Sequence, residues 1–220
     1  MSHVRSFVSG IFACTLLVSS GARAGQPTGV LPVPDDVWKS MQGVSWHTTM
    51  PCPAREKLRL VQIPFVDFSG ELKSGPLIVD AALADEVLKI FSEIAANATY
   101  RIERVALIDA YGGDDFKSIE ANNTSGFNCR LTTGAKTMSA HARGRAIDVN
   151  PLINPYVDKK GTSHKKSLGF VTRQQRAKSD AAGMIKADGL VVKIFKKYGW
   201  TWGGEWTSIK DYQHFSKDGR

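Results

Sequence analysis

Ser139-Ala-His141-Ala-Arg-Gly144-Arg-Ala-Ile-Asp148-Val-Asn150-Pro151 is the stretch on which the reading of this 220-residue chain turns. Arg145 to Asn150 reads as a buried strand ended by Pro151. Alternate side chains of an extended strand share a face. Ile147 and Val149 therefore point into a core, and Ala146, Asp148 and Asn150 face a cleft. Asp148 is an acid between two β-branched apolar residues, so it needs a partner or a metal. Gly144 supplies a turn that brings His141 back beside it. An imidazole and a carboxylate so placed are two ligands for a borderline divalent cation. A plain His–Asp hydrogen bond in a core would leave the same trace.

A second stretch shifts that balance: Gly199-Trp-Thr-Trp202-Gly-Gly204-Glu205-Trp206-Thr-Ser-Ile-Lys-Asp211-Tyr-Gln-His214-Phe215. It adds a third imidazole, His214, and a carboxylate three residues before it, Asp211. A catalytic zinc site needs three protein ligands, an open position for water, and a base that does not bind the metal. His141, Asp148 and His214 meet the first need and Asp211 the last. A spacing of three puts Asp211 and His214 on opposite faces of a regular strand, so a bend is expected between them. Glu205 reads as a surface or supporting carboxylate. Trp200, Trp202 and Trp206 could line a pocket, though core packing is the commoner use of such residues; Ser139 and Trp206 are the candidate substrate contacts.

Around these motifs the chain mixes strands and helices without regular βαβ alternation, which predicts an α+β fold: a small antiparallel sheet with flanking helices. Leu58 to Phe65 and Gly75 to Val79 read as strands, with Pro64 favouring an edge or an end. Asp80 can cap a helix that carries Leu83, Val87, Ile90, Phe91 and Ile94 on one face. Val105 to Tyr111 reads as a buried strand stopped by Gly112-Gly113, and Tyr212 to Ser216 as a short final strand. A helix over 189–197 has Asp188 as its expected N-cap and Gly199 at C′. The long polar stretch 155–183 reads as a lid or flap.

The N-terminus reads as an export signal. Arg5 precedes an apolar run from Phe7 to Val18, too short to span a bilayer, and Ala22-Arg23-Ala24 offers a cleavage site before Gly25. The expected division is 1–24 signal peptide, 25–49 linker or wrapping arm, and 50–220 catalytic domain. Loss of Arg5 and Arg23 leaves 27 basic and 21 acidic side chains, a net charge of +6. An exported protein of that balance suits a polyanionic envelope rather than nucleic acid, and nothing in it calls for stable membrane insertion. Cys52 and Cys129 are the only cysteines left, and in an oxidising compartment they are expected to pair.

S-x-H-x-x-G-x-A-x-D from Ser139 to Asp148, followed by D-x-x-H from Asp211 to His214, resembles the zinc D-alanyl-D-alanine carboxypeptidase family. That family includes the vancomycin-resistance D,D-peptidases and the phage L-alanyl-D-glutamate endopeptidases. The string Asn122-Asn-Thr-Ser-Gly-Phe-Asn-Cys-Arg130 extends the likeness to a VanY-like core over roughly residues 50–216. The resemblance implies a fold shared with lysostaphin-type peptidases and the hedgehog signalling domain. It also implies one zinc ion on His141, Asp148 and His214, with Asp211 as general base and Arg130 directed at the substrate carbonyl. Some relatives carry Glu where this chain has Asp211. The implied substrate is the peptide of peptidoglycan, cut by a carboxypeptidase outside the cytoplasm, in the periplasm or at the cell wall. An endopeptidase cutting L-Ala–D-Glu or a cross-link, and a non-catalytic zinc-containing wall-binding module, are the alternatives.

Overall fold

A computed structural model describes residues 27–132, 134, 136–179 and 181–219 together with Met1. Met1 apart, the expected signal peptide lies outside the described residues. Gly29–Pro32 (β1), Leu58–Val66 (β2) and Leu72–Asp80 (β3) form an antiparallel sheet in the order β1-β2-β3. The turn between β2 and β3 is set by Asp67, whose Oδ1 accepts hydrogen bonds from the Ser69 and Glu71 amides, while Gly70 takes a φ of +90°. Pro64 pairs with Ser74, beyond the last β1 partner at Gln62, so its missing N–H breaks no ladder with β1.

Both faces of this sheet are buried. Val61, Ile63 and Phe65 alternate onto one face with Leu77 and Val79; Leu58, Leu60 and Ile78 occupy the other. Asp35–Met41 (α1) precedes β2, and Ala84–Ala96 (α2) follows β3 after a 3₁₀ turn over Ala81–Leu83. Asp80 accepts from the Ala82 amide and so caps that turn. Val87, Ile90, Phe91 and Ile94 recur at 3.6-residue spacing and bury α2 against the first face. Each such side chain contributes roughly 1.5–3 kcal/mol on burial. Met41 of α1 joins Leu58, Leu60, Phe127 and Cys129 under the second face.

Arg104–Val105 (β4) pairs in parallel with Asn123–Thr124 (β5), which follows the helix Asp115–Glu120 (α3). The expected strand from Val105 to Tyr111 is therefore corrected: it ends after Val105, and Ile108–Tyr111 is a 3₁₀ turn closed by Gly112 at φ +69°. Ala146–Asp148 (β6), Thr201–Trp202 (β8) and His214–Ser216 (β10) make a second small antiparallel sheet, order β6-β10-β8. Tyr156–Val157 (β7) pairs with Lys210–Asp211 (β9). Leu190–Lys197 (α5) packs Val191, Val192, Ile194 and Phe195 into the same core as α2, where the Phe195 and Phe215 rings stack at 4.0 Å. Gly189 is the N-cap of α5, and no side chain caps it, so Asp188 does not have that part. Gly199 has the left-handed φ of +75° expected of it.

The stretch 155–183 is anchored rather than loose. It contains a 3₁₀ segment, Lys165–Phe170, and the helix Arg173–Lys178 (α4), whose capping box joins Thr172 and Gln175. Arg176 reaches inward to donate to Asn154 Oδ1 and to the Ile153 and Ile185 carbonyls, with its guanidinium 3.8 Å from the Tyr212 ring. Ser167 Oγ donates to the Leu152 carbonyl. No helix among the described residues is long and apolar enough to cross a membrane.

Cys52 and Cys129 are joined, with Cα atoms 5.8 Å apart across 77 positions. The crosslink ties the segment before β2 to the strand of chain that ends in Arg130. In protein lacking residues 1–24, thiol titration under denaturing, non-reducing conditions should find no free cysteine. Reduction should cost about 2–4 kcal/mol of stability, read as a fall in the denaturant midpoint. Two titratable thiols before reduction would contradict the pairing.

Candidate metal and peptide site

Two short sheet strands and one tight turn position the candidate ligands. β10 pairs with β6 so that His214 lies directly opposite Asp148 and Phe215 opposite Ile147. Residues opposite one another on antiparallel strands share a face. Ile147 and Phe215, both fully buried, point into the core, and Asp148 and His214 share the other side. His141 enters from a 3₁₀ turn, His141–Arg143, which closes on Gly144 at φ +67°. A Cβ on Gly144 would come within 2.5 Å of the Asp80 amide nitrogen, and that amide donates to the Gly144 carbonyl at 2.9 Å. Only glycine fits both the left-handed backbone and the close approach to the end of β3.

The donor atoms converge. His141 Nε2 lies 3.2 Å from His214 Nδ1 and 3.3 Å from Asp148 Oδ1, and His214 Nδ1 lies 3.1 Å from Asp148 Oδ1. His141 Nδ1 is 2.6 Å from the Gly126 carbonyl, which accepts its proton and leaves Nε2 with a free lone pair. Four donors around an ion with bonds of about 2.0 Å stand about 3.3 Å apart at the corners of a tetrahedron. Three of those corners are present, in the two-imidazole, one-carboxylate chemistry that suits zinc, so these side chains could hold such an ion. Burial would push His141 down and Asp148 up. The attraction between a protonated His141 and the Asp148 carboxylate outweighs it, so without an ion His141 is held above its usual range and Asp148 well below; an ion at Nε2 would displace that proton and take the lone pair.

The bend expected between Asp211 and His214 is present. Asp211 ends β9, Tyr212 and Gln213 turn the chain, and His214 starts β10. Asp211 and His214 line the same cavity of about 700 Å³, along with His141, Asp148, Arg130, Ser139 and Trp206. Asp211 is buried, and its Oδ1 has no hydrogen-bond partner among the described residues. Burial, and then the Asp148 carboxylate, push its pKa up to about 7. Gly203 lies so close behind it that a Cβ there would come within 2.5 Å of the Asp211 carbonyl.

Arg130 presents its guanidinium to the cavity from the far end of the crosslinked segment. Its Nε lies against the Asp115 carboxylate without hydrogen-bond alignment, and Nη1 donates to the Leu131 carbonyl at 3.1 Å. Asp115 also accepts from Asn128 Nδ2 at 2.9 Å, so the acid that steadies Arg130 is itself fixed. Ser139 accepts from the His141 amide at 3.2 Å, bracing the ligand turn as it lines the cavity. The Trp206 ring centroid lies 5.4 Å from that of His214.

Other residues named from the sequence lie elsewhere. Asn150 is fully buried away from the cleft, at φ +45°, donating to the Arg101 and Gly183 carbonyls and accepting from the Glu103 amide. Ala146 is buried and does not line the cavity. Trp200 and Trp202 are core residues, and Glu205 pairs with Lys196 outside the cavity. Among the cavity residues not singled out from the sequence are Gln213, Asp115 and His164. Gln213, inside the Asp211–His214 spacing, could have been. Asp115 and His164 stand in polar stretches with no pattern that marks them.

Residues 133–217 match the family described as D-alanyl-D-alanine carboxypeptidase. That span holds His141, Asp148, Asp211 and His214, while Arg130 and Cys129 precede it. No curated protein and no solved structure matches the chain. The resemblance read from the two motifs thus stands as a family match: over residues 133–217 the chain is similar to the D-alanyl-D-alanine carboxypeptidases.

Proposed function

We propose that the chain is an exported zinc metallopeptidase of peptidoglycan stem peptides, acting as a D-alanyl-D-alanine carboxypeptidase. His141, Asp148 and His214 would hold one zinc ion. The observation that carries this reading is the triangle of donors 3.1–3.3 Å apart, beside a buried acid whose Oδ1 has no hydrogen-bond partner among the described residues, in one cavity. The family match supports peptidoglycan peptide as the substrate and action outside the cytoplasm.

Bound zinc would acidify a water molecule and polarise the scissile carbonyl. Asp211, with its pKa near neutral and its Oδ1 without a hydrogen-bond partner among the described residues, takes the proton of the attacking water and returns it to the leaving amine. Arg130, steadied by Asp115, donates to the carbonyl oxygen as negative charge builds on it. Ser139 and Trp206 contact the peptide. Residues 1–24 are a signal peptide removed after Ala24, and the net charge of +6 on what remains suits an anionic envelope.

Digestion of purified muropeptides with and without a chelator tests the function, and product masses identify the bond. The expected product has lost a single D-alanine, and chelation abolishes it. Products cut between L-Ala and D-Glu would make the enzyme an endopeptidase instead. No chelator-sensitive product at all would overturn the reading.

His141→Ala, Asp148→Ala and His214→Ala should each lose zinc and activity together, by elemental analysis beside hydrolysis. Asp211→Ala should keep near-stoichiometric zinc and a folded domain while losing on the order of 10²–10⁴-fold in rate. Zinc lost from Asp211→Ala would make Asp211 a ligand, and normal hydrolysis would place the base elsewhere. Mass spectrometry of exported protein should find a chain beginning at Gly25; retention of residues 1–24 would refute the leader.

A further inference from the structure

One buried imidazole of the cavity has no part in the chemistry above. His164 is 6% exposed, lies at the start of the 3₁₀ segment, and lines the same cavity as the donor triangle. Its Nδ1 is 2.9 Å from Glu120 Oε1, and the Phe116 ring stacks on it at 4.3 Å and 27°. Glu120 is held below the usual carboxylate range, first by His164 and also by Lys166, whose Nζ lies 3.5 Å from Oε2. An ionised carboxylate only accepts, so Nδ1 carries the proton toward Glu120. Nε2, on the opposite edge of the ring, is the nitrogen left for a ligand, and it donates to an anion only when it takes up a proton from solvent. The ring is therefore fixed in plane by Phe116, fixed in rotation by Glu120, and fixed in depth by Ser167, whose hydroxyl anchors this turn to the Leu152 carbonyl.

α3 links this imidazole to the rest of the site. Asp115 at its start holds Arg130, and Glu120 at its end holds His164, so one short helix braces two groups of the cavity wall. The local charge decides what the second group can take. Glu120 Oε1 faces the His164 imidazole and Oε2 the Lys166 ammonium, and the stretch 155–183 carries seven Lys and Arg against two Asp. An anion reaching His164 comes close to the Lys166 ammonium, and a doubly protonated ring between Glu120 and that anion would donate to both.

We propose that His164, held by Glu120 and Phe116, is a substrate-binding residue that takes a carboxylate of the peptide at a point distinct from the candidate metal triad. This rests on the peptidase reading. A stem peptide offers two such groups, the C-terminal carboxylate and the α-carboxylate of its glutamyl residue, and the chemistry at His164 is the same for both.

The test uses zinc-loaded protein and three versions of one synthetic stem peptide: unmodified, amidated at the C-terminus, and amidated at the glutamyl α-carboxylate. In the wild type, one amidation should raise KM by at least about tenfold while kcat changes less than about threefold. Which amidation does so names the group. His164→Ala should lose that discrimination, and His164→Gln, which keeps a nitrogen near Nε2, should restore part of it. Should His164→Ala fail to fold, Glu120→Gln, nearly unchanged in shape, should weaken the discrimination instead. The proposal is overturned if neither amidation alters KM in the wild type, or if wild type and His164→Ala respond alike. Absence of hydrolysis would count against the peptidase reading, and calorimetric binding of the intact peptides then decides this one. Equal binding of all three, or binding of none, overturns it.

Discussion

The pairing of β6 with β10 has two sides, and the apolar side governs the polar one. Ile147 and Phe215 face each other in the core, where Phe215 also stacks on Phe195 of α5. Their burial sets the register, because a slip of one residue would turn both out of the core and bring Asp148 and His214 in. With the register set, Asp148 and His214 stand opposite each other in the cleft at 3.1 Å. The geometry of the candidate metal site is thus a by-product of hydrophobic packing one residue away. His141 needs a separate device, the Gly144 turn pressed against the end of β3, and the Gly126 carbonyl then fixes its ring.

Such a site is costly without an ion. Two imidazoles and a carboxylate are buried within hydrogen-bond distance, next to a second carboxylate pushed up toward neutral. Asp211 Oδ1 and Gln213 Oε1 are both buried without a partner among the described residues. Buried acceptors of this kind cost on the order of 1–3 kcal/mol each. A divalent ion with a water would offset that cost by supplying charge and donors together. The surrounding wall is built differently: its basic side chains are held by acids, Arg130 by Asp115 and the His164 imidazole by Glu120. Pre-positioned polar groups lose less freedom when a ligand arrives.

The sequence showed most clearly what periodicity and motif spacing encode. The β2 strand, the apolar face of α2 and the alternation of Ile147 and Val149 follow from simple spacing, and the expected α+β architecture is present. The two motifs pointed to the donors and to the bend after Asp211, since a spacing of three cannot bring both acids and imidazoles to one face otherwise. Val105 to Tyr111 misled because an apolar run of that length suits a strand as well as a 3₁₀ turn, and Gly112 alone does not tell them apart. Asn150 misled because alternation stops where the chain takes a left-handed turn. The stretch 155–183 looked like a flap because its anchors, Arg176 and Ser167, are polar residues whose partners are backbone carbonyls distant in sequence. No local pattern reports such a partner, and His164 was hidden for the same reason.

The claim beneath this account is that His141, Asp148 and His214 are already arranged for a four-coordinate divalent ion. X-ray absorption at the zinc edge, on protein loaded with one equivalent of zinc, tests it directly. The account predicts a shell of four nitrogen and oxygen atoms at about 2.0 Å, two of them from imidazole, with one position exchangeable. His214→Ala should remove one imidazole contribution or abolish binding. A six-coordinate oxygen shell, a sulfur ligand, or a spectrum unchanged by His214→Ala would contradict it.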